Sequence, residues 1–121
     1  MTETQNSKQY DLEERTLQFA KSVRVFVKQL PKSIASFEDE KQLIRSSGSI
    51  GANYIEANES LSKKDFLMRI KIARKEAKES IFWLKLLETS GDSHLEENCR
   101  KILSEARELM MILGAILRKS S

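Results

Sequence analysis

Four stretches of this sequence repeat apolar residues at the spacing of a single helix face, and that pattern restricts the fold more than any other feature. The first reads Leu12, Thr16, Phe19, Ala20, Val23, Phe26, Val27, Leu30 and stops at Pro31, whose ring and missing N–H end a helix. The second carries Leu43, Ser47, Ile50, Tyr54 and Ala57, widened by Ile44, Gly51 and Ile55. The third is Phe66, Ile70, Ala73, Ala77, Ile81 and Leu84, ending near the turn Ser90-Gly91-Asp92. The fourth is Leu95, Cys99, Ile102, Leu103, Ala106, Leu109, Met110, Leu113 and Leu117. No period-two alternation competes, and short connections favour antiparallel neighbours. The expected fold is all-α, an antiparallel up-down four-helix bundle over residues 11–119, behind a flexible N-terminal stretch over 1–10.

Each stripe follows a start signal in which an oxygen-bearing side chain precedes a carboxylate by three positions. The pairs are Asp11 with Glu14, Ser36 with Asp39, Ser62 with Asp65, and Ser93 with Glu96. The first side chain of such a pair accepts from an orphan amide of the opening turn, and the acid favours the positive end of the helix dipole.

At 121 residues the chain is long enough for one core and too short for two. Four glycines, one proline and 32% charged residues give the balance of a helical globular protein. The single Cys99 cannot form an internal disulfide, and its neighbours mark it as a small buried hydrophobe in a reducing compartment. The opening residues lack the apolar centre of a secretory signal, and no later run is long and charge-free enough to span a bilayer. The cytoplasm is the expected location, with no membrane contact. A net charge of +3 permits an acidic partner without demanding one.

Gly48 and Gly51 stand inside the second stripe, although glycine costs a helix up to about 1 kcal/mol relative to alanine. Gly51 lies beside the apolar face, and Gly48 and Ala52 extend it as a strip of small surface. Close packing of a neighbouring helix is the expected reason. The alternative, a phosphate loop, lacks the following Gly-Lys-Ser/Thr and a preceding strand.

A polar stripe on the second helix, Arg45, Ser49, Asn53 and Glu56, shares one face. On the third helix Glu76 and Glu79 lie with Met68, Ile72, Trp83 and Leu86, roughly 120° from the main apolar stripe at 100° per residue. Two apolar faces on one helix imply two partners, either both within the bundle or one on a second copy through Ile72, Trp83 and Leu86. The glutamates are expected to pair with Arg45 or Asn53, because a buried carboxylate without a partner is costly. A carboxylate magnesium site of Glu56, Glu76 and Glu79 is the sharper alternative. The di-metal pattern of helical bundles needs Glu-x-x-His pairs, whereas the only histidine, His94, sits by a turn as a loop or capping residue. Nucleophilic catalysis has no visible constellation either, so no cofactor, no metal and no enzymatic activity are expected.

The most suggestive functional pattern lies on the third helix. Lys64, Lys71, Lys78 and Lys85 recur every seven residues, with Lys75 between them and Phe82 on the same strip. Heptad spacing drifts only about 20° per repeat, so the cations stay on one side. The first helix adds Lys21, Arg24 and Lys28 opposite its apolar stripe. Such ribbons are solvated faces in most proteins; the functional alternative is contact with the phosphates of RNA or DNA, without base readout. Another class of function is a scaffold or accessory subunit for an unidentified partner protein, using the Ile72, Trp83, Leu86 side.

The run SIGANYIEANESLSKKDFLMRIKIARKEAKESIFWLKLL resembles the bacterial four helix bundle proteins encoded in intervening sequences of 23S ribosomal RNA genes, also labelled S23 ribosomal proteins. The matching marks are Ser49-Ile50, Asn53, Glu56, the start Ser62-Lys63-Lys64-Asp65-Phe66, Ile72-Ala73, Glu76, Glu79 and Trp83-Leu84. The resemblance implies a homopentameric ring similar to the accessory variability proteins of diversity-generating retroelements, which bind nucleic acid and a reverse transcriptase through basic surfaces. It would give the α-helical lysines Lys64, Lys71, Lys75, Lys78 and Lys85 the phosphate-facing role. The residues alone say only that more than one copy assembles.

Overall fold

The structure, a computed structural model, describes the backbone of residues 2–121 and the side chains of residues 11–121. Four helices fill it: α1 (Thr2–Gln29), α2 (Ile34–Asn58), α3 (Lys63–Leu86) and α4 (Ser93–Ser120), and no strand occurs among the described residues. Only the third start signal works as written, with Ser62 accepting from the Asp65 amide. Helix α2 begins earlier than Ser36, because Ser33 caps it and Ser36 answers from the third position as the other half of the capping box. Helix α4 is capped by Asp92, whose carboxylate accepts from the His94 and Leu95 amides, one residue before Ser93. Helix α1 runs through Asp11, so that pair caps nothing. The expectation of a flexible stretch over 1–10 concerns residues whose side chains lie outside those described.

Contacts pair early residues of one helix with late residues of the next, so neighbours run antiparallel. Glu13 meets Asn58, Arg45 meets Glu76, the Cys99 thiol faces the Leu84 carbonyl, and Arg15 closes the ring by binding Glu105. Each helix packs on its two neighbours and not on the one diagonally opposite, which is the up-down bundle. All eight stripe residues of α1 are buried. Along α2, α3 and α4 the stripes supply Leu43, Ile50, Ile70, Ala73, Leu84, Leu109 and Leu113 to the same core. No described helix is long and apolar enough to cross a membrane.

Two polar devices inside the bundle escape the apolar pattern. Glu40 is 4% exposed and is held by Lys32 at 2.9 Å, whose ammonium also donates to the Val27 carbonyl at the end of α1. Lys32 therefore ties the α1–α2 turn to both helices. The hydroxyls of Ser46 and Ser80, both fully buried, lie 2.9 Å apart across α2 and α3.

The two α2 glycines turn out to differ. A Cβ on Gly51 would stand 2.7 Å from Thr16 Oγ1 and 3.0 Å from its Cβ, whereas one on Gly48 would meet only the Arg24 guanidinium at 3.9 Å. Thr16 is buried and donates to the Glu13 carbonyl, so it cannot retreat. Gly51 is thus the point where α1 and α2 close on each other, and Gly48 is spare. We expect Gly51→Ala to lose about 1–3 kcal/mol from overpacking and Gly48→Ala to gain up to about 1 kcal/mol from helix propensity. Urea denaturation of the two variants reads this directly; equal effects would contradict the close approach.

Candidate functional site

Helix α3 is one unbroken rod, so side-chain direction follows from position alone. Ile70, Ala73, Ala77, Ser80 and Leu84 are buried in the core. The lysine ribbon lies roughly 150° around from them at 100° per residue. Lys64, Lys71, Lys75, Lys78 and Lys85 are all exposed, and among the described residues none is within 4.0 Å of a carboxylate. Phe82 is 57% exposed on the same strip and packs edge-on against Trp83 at 5.0 Å.

Lys21, Arg24 and Lys28 are exposed on α1, but α1 and α3 occupy diagonal corners. Their outward faces point away from each other, so the two ribbons form separate surfaces. Lys21 lines a shallow groove with Val25, Lys101 and Ile102 between α1 and α4. Arg24 bends back to the Ala20 carbonyl.

The α2–α3 polar cluster divides into two. Arg45 lies 3.4 Å from Glu76 and 3.4 Å from Glu79, with Glu76 buried and Arg45 half-exposed. Asn53 instead accepts from Arg69 at 3.1 Å, an arginine the sequence pattern did not single out. Ser49 donates to the Arg45 carbonyl within its own helix. Glu56 is exposed, with no cation on it among the described residues. Because a guanidinium stands between Glu76 and Glu79, the positive charge a metal would supply is already there. Among the described residues no group of three or more His, Cys, Asp or Glu side chains is placed to hold an ion.

Beside Glu79 runs the second apolar strip of α3. Ile72 and Trp83 are half-buried, while Met68 and Leu86 are each 48% exposed. The Trp83 indole N–H is buried without an acceptor among the described residues, a state that ordinarily costs about 1–3 kcal/mol.

Cys99 is half-buried with its thiol toward the Leu84 carbonyl at 3.7 Å, and burial pushes that thiol up from its ordinary 9.0. Burial likewise raises the Tyr54 phenol above 10.0. The His94 ring is exposed at the start of α4, near Asn98.

Sequence reasoning missed a set of arginines. Arg15 is clamped by Glu105 and Glu108, Arg100 by Glu97, and Arg69 is partnered as above. Arg74 on α3 and Arg107 and Arg118 on α4 are exposed and have no hydrogen-bond or ion-pair partner among the described residues. They extend the α3 ribbon onto α4. A single-helix wheel cannot show this, because the α4 members join only once α3 and α4 pack.

A four-helix bundle with exposed cationic ribbons on α1 and α3, the α3 one free of carboxylates among the described residues, is the class of protein these observations define. The family model for the 23S rRNA-intervening sequence protein matches residues 8–115, and the chain belongs to that family. It is also similar to a crystal structure from Bacteroides thetaiotaomicron, a protein of unknown function from the S23 ribosomal protein family. That likeness has a TM-score of 0.79 and 33% identity, and covers 92% of this chain and 98% of the other. Among curated proteins nothing matches.

Two outcomes follow. Arg45→Ala leaves Glu76 buried without its cation and is expected to cost about 1–2 kcal/mol, the half-exposed guanidinium being partly screened, whereas the more exposed Glu79→Ala costs less; chemical denaturation distinguishes them. For pH, both raised groups must ionise to lower the stability of the folded chain. The contribution of these two groups is therefore constant below pH 9 and falls as pH rises beyond 9.0 for Cys99 and 10.0 for Tyr54. Cys99→Ala should remove the part of the fall that begins nearest pH 9, as read by melting temperature across pH 7–11.

Proposed function

We propose that the protein is a non-catalytic, cytoplasmic helical oligomer that holds RNA or DNA through backbone phosphates. One observation carries the reading: the five α3 lysines are exposed on one face of an unbroken helix, and no carboxylate of the described residues neutralises them. Lysines arranged in this way gain affinity by releasing counter-ions from a polyanion, and that gain needs no base contact. Phe82, exposed on the same strip, adds a stacking surface for an unpaired base.

The apolar strip of Met68, Ile72, Trp83 and Leu86 supports self-association. A second copy would cover it and offer an acceptor to the Trp83 N–H, and repetition of the cationic face would raise affinity for a long strand. A ring of five copies is the assembly that the family resemblance favours. A scaffold that engages only a protein partner through this strip is the competing reading.

Fluorescence anisotropy with a labelled single-stranded oligonucleotide tests the proposal. Affinity should fall about tenfold or more between 50 and 200 mM salt. The triple variant Lys71→Gln, Lys75→Gln, Lys78→Gln should weaken binding and flatten that salt dependence. No binding at low salt would contradict the reading. Light scattering at micromolar concentration should return a multiple of the 13.9 kDa chain, and Trp83→Ala or Leu86→Glu should lower it; a monomer mass for the unaltered protein would contradict self-association.

A further inference from the structure

Gly114 lies in the C-terminal quarter of α4 and is buried, although nothing in the backbone there calls for glycine: the one positive-φ glycine is Gly91. What fills the space beside it is charge. A Cβ at this position would meet Arg118 Nη1 at 3.5 Å and Arg74 Nε at 3.8 Å, and, apart from its chain neighbours and the backbone of its own helix, nothing else within 4 Å. Two guanidinium groups, one from each of two helices, thus converge on a single side-chain-free patch.

Converging like charges repel unless an anion lies between them, and no carboxylate of the described residues lies within 4.0 Å of either guanidinium. The α4 carboxylates that could reach sideways, Glu105 and Glu108, are turned to Arg15 on α1. The α3 carboxylates Glu76 and Glu79 are turned to Arg45 on α2. Arg74 and Arg118 have no partner among the described residues. The surroundings add cations: Lys71 and Lys78 lie one turn to either side of Arg74, and Arg107 lies two turns back from Gly114 along α4.

We propose that Arg74 and Arg118 form a clamp for one phosphate group over Gly114. Each guanidinium presents a planar fork that matches two oxygens of a phosphate, which a lysine ammonium cannot do. The glycine keeps the floor of the clamp clear, so the forks can settle close to the helix. Resting on the nucleic-acid reading above, the phosphate is a backbone phosphodiester, fixed here while the lysines of α3 hold its neighbours by field alone. The clamp would set where along the α3–α4 seam the strand lies.

The charge-conserving double variant Arg74→Lys, Arg118→Lys tests the fork. Against a labelled single-stranded oligonucleotide at 100 mM salt it should bind about tenfold more weakly than the unaltered protein, the loss expected when bidentate contacts become point charges. Lys41→Gln, on exposed α2 surface, should leave binding unchanged. Titration with inorganic phosphate, followed by the arginine Nε–H resonances in NMR, should shift Arg74 and Arg118 and leave Arg15 and Arg45 in place. Unchanged oligonucleotide affinity in the double lysine variant, or phosphate shifts spread evenly over all arginines, overturns the clamp while the nucleic-acid reading stands. Selective phosphate shifts in a protein that binds no oligonucleotide support the clamp and overturn the nucleic-acid reading.

Discussion

The roll of α3 about its own axis decides what this protein can present to a partner, and the α2–α3 seam sets that roll. At its centre the buried hydroxyls of Ser46 and Ser80 meet at 2.9 Å, and each also reaches a carbonyl of its own helix, Leu43 and Glu76 respectively, so the seam buries no unpartnered hydroxyl. Arg45 on Glu76 and Glu79, and Arg69 on Asn53, fix the same seam nearer the solvent. A rotation of α3 by even one residue, about 100°, would bury an ammonium group and break every one of these pairs. With the roll fixed, the lysines have only the solvent side left to them.

That constraint divides the surface of the bundle. The corner made by α3 carries cations without acids, and its edge toward α4 gains Arg74, Arg107 and Arg118. The opposite corner, α1, carries its own smaller ribbon, facing away. Five acids are spent on joining elements: Glu40 on Lys32, Glu76 and Glu79 on Arg45, Glu105 and Glu108 on Arg15. The net charge of +3 therefore understates the local field, because neutralisation is concentrated at helix seams and absent from the outer face of α3. A polyanion responds to that local field and not to the sum.

Much of this was legible in the residues. The apolar stripes predict the buried faces of all four helices, since a helix in water has no other way to hide its apolar side chains. The pairing of Arg45 with Glu76 and Glu79 also follows from the cost of a buried carboxylate. The cap positions at Ser36 and Ser93 missed because neighbouring oxygens, at Ser33 and Asp92, compete for the same orphan amides, and pattern alone does not rank them. The expected helix start at Asp11 missed because nothing breaks the helix upstream of it. Glu40 sits among the charged residues Glu38, Asp39 and Lys41 and reads as surface; only the turn that brings Lys32 over it makes it a core residue. The unpartnered arginines lie on two helices, and their convergence at Gly114 exists only in the packed bundle.

A nucleic-acid role requires the α3 lysines to be free in the folded protein and occupied once a polyanion is present. Lysine acetylation at low reagent levels, mapped by mass spectrometry with and without a single-stranded oligonucleotide, measures both conditions at once. Lys64, Lys71, Lys75, Lys78 and Lys85 should label readily in the free protein and become protected on adding the oligonucleotide, while Lys41 on α2 labels equally in both. Slow labelling of the α3 set in the free protein, or labelling that the oligonucleotide leaves unchanged, would contradict it.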